Sequence, residues 1–354
     1  MTATRISAPR RILFLVTYQC NQRCTLCPYW ADECSDHGLP SDMADRELRT
    51  EEALSLVDEM AAMGVAELWV SGGEPFTRRD LPVILRHANS KGISISVNTN
   101  LTAIPVEALL TQSLGAVDEL DISFNGMETV RAANIANEQR EATVLERIRY
   151  LVSRRDEKKH KARILVKCTI CRDNQDDLLS LYERVESLGV DGMAFQHLSF
   201  LTESLYQQHL ACLSAAGLED CGSWASFSRG LHEMMPTRLP EVHRQLETIR
   251  SRSHRAGIWF CVHPQLAAAD LHRYYSEEDF CAFTGCTWPT HGLTIDPFGN
   301  VSVCGWPHLG NVRDKRLCDM WRSKVLQDFQ QGLRRERLYP ACLRCCLDYE
   351  SKRY

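Results

Sequence analysis

Cys20, Cys24 and Cys27 lie within eight residues of one another, and Cys342, Cys345 and Cys346 within five. Thiolates at such spacings suit a metal, and in a reducing compartment they favour zinc or iron–sulfur over disulfides. Three cysteines on one short loop leave one iron of a four-iron cubane without a protein ligand. That open position is the chemical point. A molecule offering an amine and a carboxylate can chelate the iron, and an electron from the cluster can then break a neighbouring C–S bond. A zinc site would want a fourth protein ligand, for which His37 is the candidate. Of the sixteen cysteines, Cys168, Cys171 and Cys212 read as small buried hydrophobes; the two clusters do not.

Alternating elements must position these thiols. Apolar runs at 11–17, 67–71, 93–98, 119–124, 164–170 and 192–198 read as strands, with amphipathic helical patterns at 51–63, 80–91, 105–113, 138–152 and 174–188 between them. Leu54, Val57, Met60 and Ala61 repeat at helical spacing, Gly64 follows as a C-cap, and Asp80 precedes Leu81-Pro82 as an N-cap. Six such units with right-handed crossovers imply an α/β fold with a parallel sheet, open or curled into part of a barrel. Ligands then sit at the C-terminal strand ends. Cys20 follows the first strand, Gly72-Gly73-Glu74-Pro75 the second, and Asn98-Thr99-Asn100 the third. Residues 201–256 read as helical and polar, and from about 280 cysteine, glycine, proline and tryptophan rise around a hairpin-like segment at 292–304. The domains expected are therefore 1–200, a helical connection at 201–279, and a small module at 280–354.

A net charge of −5 gives no footprint for nucleic acid or an acidic membrane surface, and no apolar run approaches the roughly 20 residues of a membrane span. The N-terminus lacks a small-residue cleavage site and runs straight into Cys20, so it reads as a strand and not as a signal peptide. A cytoplasmic protein is expected.

Cys20-x3-Cys24-x2-Cys27 followed by Gly72-Gly73-Glu74-Pro75 resembles the paired signature of the radical S-adenosylmethionine (SAM) superfamily. The resemblance implies a partial (β/α)6 barrel, a [4Fe–4S] cluster on the three cysteines, and reductive cleavage of SAM to a 5′-deoxyadenosyl radical. It also implies an external one-electron donor of the flavodoxin or ferredoxin type. By the same resemblance Gly72, Gly73 and Glu74 would meet the methionine amine, and Asn98 and Ser123 the ribose or carboxylate. One departure is Leu26, where the family often has an aromatic residue; its backbone or Tyr29 would face the adenine instead.

The last quarter is similar to the auxiliary-cluster modules called SPASM and Twitch. Cys286, Cys304, Cys342 and Cys345 stand as ligands of a second [4Fe–4S] cluster, with Cys346 and Cys281 as alternates. The chain ends nine residues after Cys345, so the single-cluster Twitch form, a small Cys-rich α+β module, is the better match. The resemblance extends to members that dehydrogenate aminocyclitols.

A deoxyadenosyl radical takes hydrogen from an unactivated carbon, and the protein selects which one. Oxidation of the substrate radical through the auxiliary cluster gives dehydrogenation, and hydrogen return from a thiol gives epimerisation. Decarboxylation and peptide or protein modification are further outcomes. The first strand starts near residue 11, which leaves no room for a leader-binding domain and favours a small polar metabolite of specialised metabolism, such as an antibiotic's amino sugar. Gln196, His197 and Glu203 are the substrate-facing candidates, with His197 as base, and Cys261 is the candidate hydrogen donor.

Overall fold

The structure, a computed structural model, describes residues 8–27, 43–126, 137–218, 225–228, 230–336, 338–345 and 349–351. Tyr29, His37 and Cys346 lie outside them. The apolar runs become strands because each has one sealed side. In β1 (Arg11–Thr17), Ile12, Phe14 and Val16 are fully buried while Arg11, Leu13 and Leu15 are half-buried. β2 (Glu67–Gly72), β3 (Ser94–Thr99), β4 (Glu119–Ser123), β5 (Arg163–Ile170) and β6 (Gly192–His197) repeat the alternation. Their sealed sides pack under the crossover helices, where each Å² of apolar surface removed from water contributes about 25 cal/mol. All five neighbouring pairs are parallel.

The first crossover helix, Thr50–Met63, ends at Gly64 with φ +82°, the left-handed C-cap that its sequence predicts. Asp80 does not cap the next helix, Leu81–Ser90. Its carboxylate is held instead by Arg78, Nε to Oδ1 at 2.8 Å, and by the Thr50 hydroxyl at 2.7 Å. A charge-assisted bond to a buried guanidinium outcompetes one backbone N–H.

The segment expected as a helical connection carries helices Glu203–Ala215 and Leu239–Ala256, and also β7 (Trp259–His263), a seventh strand parallel to β6. Five residues after an 18-residue helix are too short to show a period of their own.

Beyond β8 (Phe283–Cys286), the expected hairpin forms from β9 (Gly292–Ile295) and β10 (Asn300–Ser302). Asp296 makes the turn, its Oδ1 accepting the N–H groups of Phe298 and Asn300, both at 2.9 Å. β11 (His308–Asn311) pairs antiparallel to β10, and β12 (Tyr349–Ser351) to β8. β9 lies parallel to β1, so one sheet runs β11-β10-β9-β1-β2-β3-β4-β5-β6-β7. The C-terminal strands thus extend the barrel sheet. Their core is aromatic: Trp306 meets Phe329 and Tyr339 edge-on, each at 4.8 Å between centroids, and His209 of helix Glu203–Ala215 at 4.5 Å.

Candidate active site

Cys20, Cys24 and Cys27 hang on the loop that leaves β1, each half-buried. Asn100, just beyond β3, steers that loop: its Nδ2 donates to Asn21 Oδ1 at 2.9 Å and lies 3.9 Å from Cys20 Sγ. Burial pushes the Cys20 thiol up, and Glu74 adds to the shift. A bound iron would reverse that preference by taking the thiolate. Among the described residues no three His, Cys, Asp or Glu side chains converge on one point as a single ion requires. Three thiols on one loop suit a cubane, which is ligated at separate corners and leaves one iron open.

The glycines of the second motif are required sterically. A Cβ on Gly72 would sit 2.2 Å from Thr17 O, and one on Gly73 would sit 2.2 Å from Gln19 O. Gly73 N–H donates to Thr17 O at 2.8 Å and Glu74 N–H to Gln19 O at 2.7 Å. The end of β2 therefore lies flush against the backbone of the cysteine loop, and this cradle fits the methionine end of SAM.

Glu74 takes a different place from the one expected of it. It is 1% exposed, its Oε1 accepts from the Thr99 hydroxyl at 2.7 Å and Phe76 N–H at 3.1 Å, and its Oε2 accepts Asn100 N–H at 2.6 Å. Burial pushes its pKa up, against these donors. Its oxygens tie β2 to the end of β3.

Across a parallel pair, residues in register share a face. Ser123, Lys167, Ala194 and Cys261 form one such row, with Asn98, Asp121 and Leu165 in the row beneath and Thr169, Gln196 and His263 above. This face is the lumen. Ser123 Oγ donates to Asn98 Oδ1 at 3.3 Å, so the two residues expected at the ribose meet there. Between them and Cys261, Lys167 Nζ lies 2.6 Å from Asp121 Oδ2. Asp121 is 5% exposed and its Oδ1 is buried without a hydrogen-bond partner among the described residues. Burial pushes the Asp121 carboxyl up in spite of Lys167. Sequence reasoning passed over both residues, though a lysine and an aspartate inside apolar strands are a legible signal of a polar lumen.

His197 is not on this face. It follows Met193 and Phe195 onto the helix-covered side, where it is 2% exposed, with Nδ1 3.0 Å from the Tyr275 hydroxyl. Burial pushes its pKa down to about 3, with His263 adding to the effect. The period of two along β6 gives the lumen position to Gln196, so His197 is a wall residue and not the base. Glu203 stands exposed in the first turn of helix Glu203–Ala215, paired with Gln207. Cys261 does face the lumen, and burial keeps it protonated. Cys168 and Cys171 are buried as expected; Cys212 is exposed.

At the second site Cys342 lies within the 3₁₀ turn Pro340–Arg344 and Cys345 caps it, both buried, and Cys286 ends β8. Cys304 follows β10 and its Sγ lies 3.5 Å from Trp306 O. Burial pushes the Cys342 thiol far up, and the neighbouring Cys286 and Cys281 add to this. Deprotonating thiols in such a place is costly unless a cation takes the thiolates, which is what a cluster would supply. A cluster fits, with Cys281 within reach beside the four cysteines named for it.

A partial parallel barrel, a three-cysteine loop on a glycine cradle and a second cysteine set are together the features of a radical SAM enzyme with an auxiliary cluster. Comparison agrees: residues 14–171 match the Radical SAM superfamily and residues 286–346 an iron–sulfur cluster-binding domain. The chain carries both domains, which implies a [4Fe–4S] cluster at each site, SAM at the first, and a need for a reductant. It is 25% identical to the AdoMet-dependent heme synthase of Methanosarcina barkeri (strain Fusaro / DSM 804), over 90% of this chain and 83% of that one. It is 28% identical to the PqqA peptide cyclase of Bradyrhizobium diazoefficiens, but over 38% of this chain and only 33% of the cyclase. The structure of Streptococcus suis SuiB bound to S-adenosylmethionine superposes with a TM-score of 0.62 at 13% identity, over 92% of this chain and 68% of SuiB. Among the described residues no helix is long and apolar enough to cross a membrane.

Proposed function

We propose that this enzyme abstracts a hydrogen atom from a small polar metabolite bearing an amine and hydroxyls, of the amino-sugar or aminocyclitol kind, and dehydrogenates it at an alcohol carbon. The setting would be a cytoplasmic pathway of specialised metabolism, with a flavodoxin- or ferredoxin-type protein as electron donor. The observation that carries the reading is the Asp121–Lys167 pair, a buried carboxylate oxygen and a half-exposed ammonium together on the lumen face. A buried polar atom without a partner is rare and costs about 1–3 kcal/mol. A protonated amine or hydroxyl of the substrate would satisfy Asp121 Oδ1, while Lys167 would keep donors for a substrate oxygen. When bound, the first cluster and SAM supply the hydrogen-abstracting radical, and the auxiliary cluster of Cys286, Cys304, Cys342 and Cys345 an outlet for one electron. The hydroxyl proton of the oxidised carbon would leave to a lumen base, for which Asp121 is the candidate.

Cys261 favours a second reading. A protonated thiol in the same row as Lys167 and Ser123 is suited to return a hydrogen atom, which gives epimerisation. Anaerobic turnover with SAM, dithionite and a panel of aminocyclitols, amino sugars and peptides separates the readings. Dehydrogenation yields a product two mass units lighter, whether or not the buffer is deuterated. Unchanged mass in ordinary water, one deuterium gained in heavy water, and loss of turnover in Cys261→Ala would overturn it. Reaction with peptides alone would overturn the substrate class.

A further inference from the structure

Between Cys342 and Cys345 stands Arg344, 2% exposed. Its Nη1 donates to Phe280 O at 2.6 Å and to Leu343 O at 3.1 Å, and its Nη2 donates to Glu277 O at 2.6 Å. The guanidinium lies over Tyr274 at 4.6 Å and Phe200 at 5.6 Å, and Tyr274 also meets the His197 ring behind β6. Nε is buried without a hydrogen-bond partner, and no carboxylate forms an ion pair with Arg344 among the described residues. A buried charge normally has a counter-charge or shifts its pKa until it is neutral, and arginine does not deprotonate. Carbonyls, rings and an Asp279 carboxylate that acts at a distance without an ion pair are weak compensation for a guanidinium. What the fold does place beside it is the cysteine set: Arg344 is one residue from Cys345 and two from Cys342, with Cys281 close enough to be felt electrostatically.

We propose that Arg344 is the counter-charge of the auxiliary cluster and sets its reduction potential upward. A four-thiolate cubane is anionic, and gaining an electron adds one more negative charge. A fixed cation in a low-dielectric wall stabilises the reduced state more than the oxidised one, and an N–H aimed at cluster sulfur acts in the same direction. The step concerned is the transfer of one electron onto the cluster, with no bond made or broken. It deepens the dehydrogenase reading, because a higher potential makes the cluster a better acceptor from a substrate radical. The measurement needs no substrate, so it stands or falls apart from that reading.

The test is an EPR-monitored redox titration of the full chain with Cys20, Cys24 and Cys27 replaced by alanine, so that only the auxiliary cluster reports. Arg344→Gln should disfavour reduction about tenfold or more, a shift of about 59 mV downward for one electron. Arg344→Lys, which keeps the charge and loses the fork, should stay within about threefold of the parent. Iron content, measured in parallel, shows whether each variant still holds its cluster. An unchanged potential in Arg344→Gln with full auxiliary iron would overturn the proposal. So would an equal downward shift in both variants, which would make the effect one of packing. Loss of the iron in both would leave Arg344 a structural clamp, and would overturn it as well.

Discussion

Arg313 closes a two-pronged ion pair on Glu52, with Nε 2.7 Å from Oε1 and Nη2 3.2 Å from Oε2, across 261 positions of sequence. Glu52 opens the first crossover helix of the barrel, and Arg313 follows β11 of the C-terminal strands. The same guanidinium reaches Phe298 O at 3.0 Å and Glu47 O at 3.3 Å. One side chain thus fastens the hairpin to the barrel at the end of the sheet where β9 meets β1.

The pair makes stability depend on pH in a definite direction. The Arg313 hydrogen bond, foremost, holds the Glu52 carboxyl down to about 2 from an ordinary value of 4.5. A carboxylate depressed in the folded state contributes stability that is fully present above the unfolded value and fades as pH falls toward the folded one. Glu52→Gln should therefore lower stability by about 1 kcal/mol near neutral pH, the upper range for a partly exposed pair. The deficit should be flat from pH 8 to 5, shrink below pH 4.5, and shrink with added salt. Urea melts of both proteins at pH 7.5 and 4 measure it, and a deficit that grows toward acid pH would contradict the assignment.

Glu74→Gln should injure the cysteine loop and SAM binding together. The carboxylate accepts from three donors, and an amide NH2 would face one of them in a sealed site. The cost is about 1–3 kcal/mol. Because Asn100 N–H is one of the three and Asn100 also steers Cys20, reconstituted iron at the first site should fall along with SAM affinity. Weakened SAM binding with a fully loaded first cluster would instead return Glu74 to the cofactor.

Reconstituted enzyme should hold about eight irons and eight sulfides, the content of two cubanes. Replacing Cys20, Cys24 and Cys27 with alanine should halve that and abolish cleavage of SAM. Iron near four in the unmutated protein would remove the auxiliary cluster from the account.

Much of this was legible beforehand, for physical reasons. Strands buried under helices read as apolar runs, and β1 falls where Ile12, Phe14 and Val16 predict it. The cysteine loop and its glycine cradle are local in sequence. What escaped is what depends on which way a side chain turns or on a distant partner. His197 was misplaced although Met193 and Phe195 before it fix its side of β6. The bonds of Glu74 to Thr99 and Asn100 are not legible, because those partners arrive from the next strand. Asp80 was given a helix cap because Thr50, which competes for it, is thirty residues away. The setting of Arg344 is not legible either, since only the folded wall brings the Glu277 and Phe280 carbonyls and the Tyr274 ring to it.

The lumen pair makes the sharpest demand on the catalytic reading. Asp121 and Lys167 touch each other, Lys167 in the row of Ser123 and Asp121 in the row beneath, so both can bear on substrate without supporting the cysteine loop. Asp121→Asn keeps the volume and removes the charge that would hold an amine. Lys167→Met keeps the stem and removes the ammonium. Each single change also strands its partner's charge in the wall, at a cost of a few kcal/mol for the better-buried Asp121, so the double variant is the cleaner comparison. In all three proteins iron content and the slow cleavage of SAM without substrate should stay near the parent values. Substrate-stimulated formation of 5′-deoxyadenosine should fall by about a hundredfold, the worth of one charge-assisted hydrogen bond of 1.5–3 kcal/mol. The loss should appear mainly in KM if the pair only holds the substrate. It should appear in kcat, with a pH profile shifted in Asp121→Asn, if the carboxylate also takes the hydroxyl proton. Undiminished turnover in the double variant would show that substrate does not engage this pair, and the polar-metabolite reading would lose the observation that carries it.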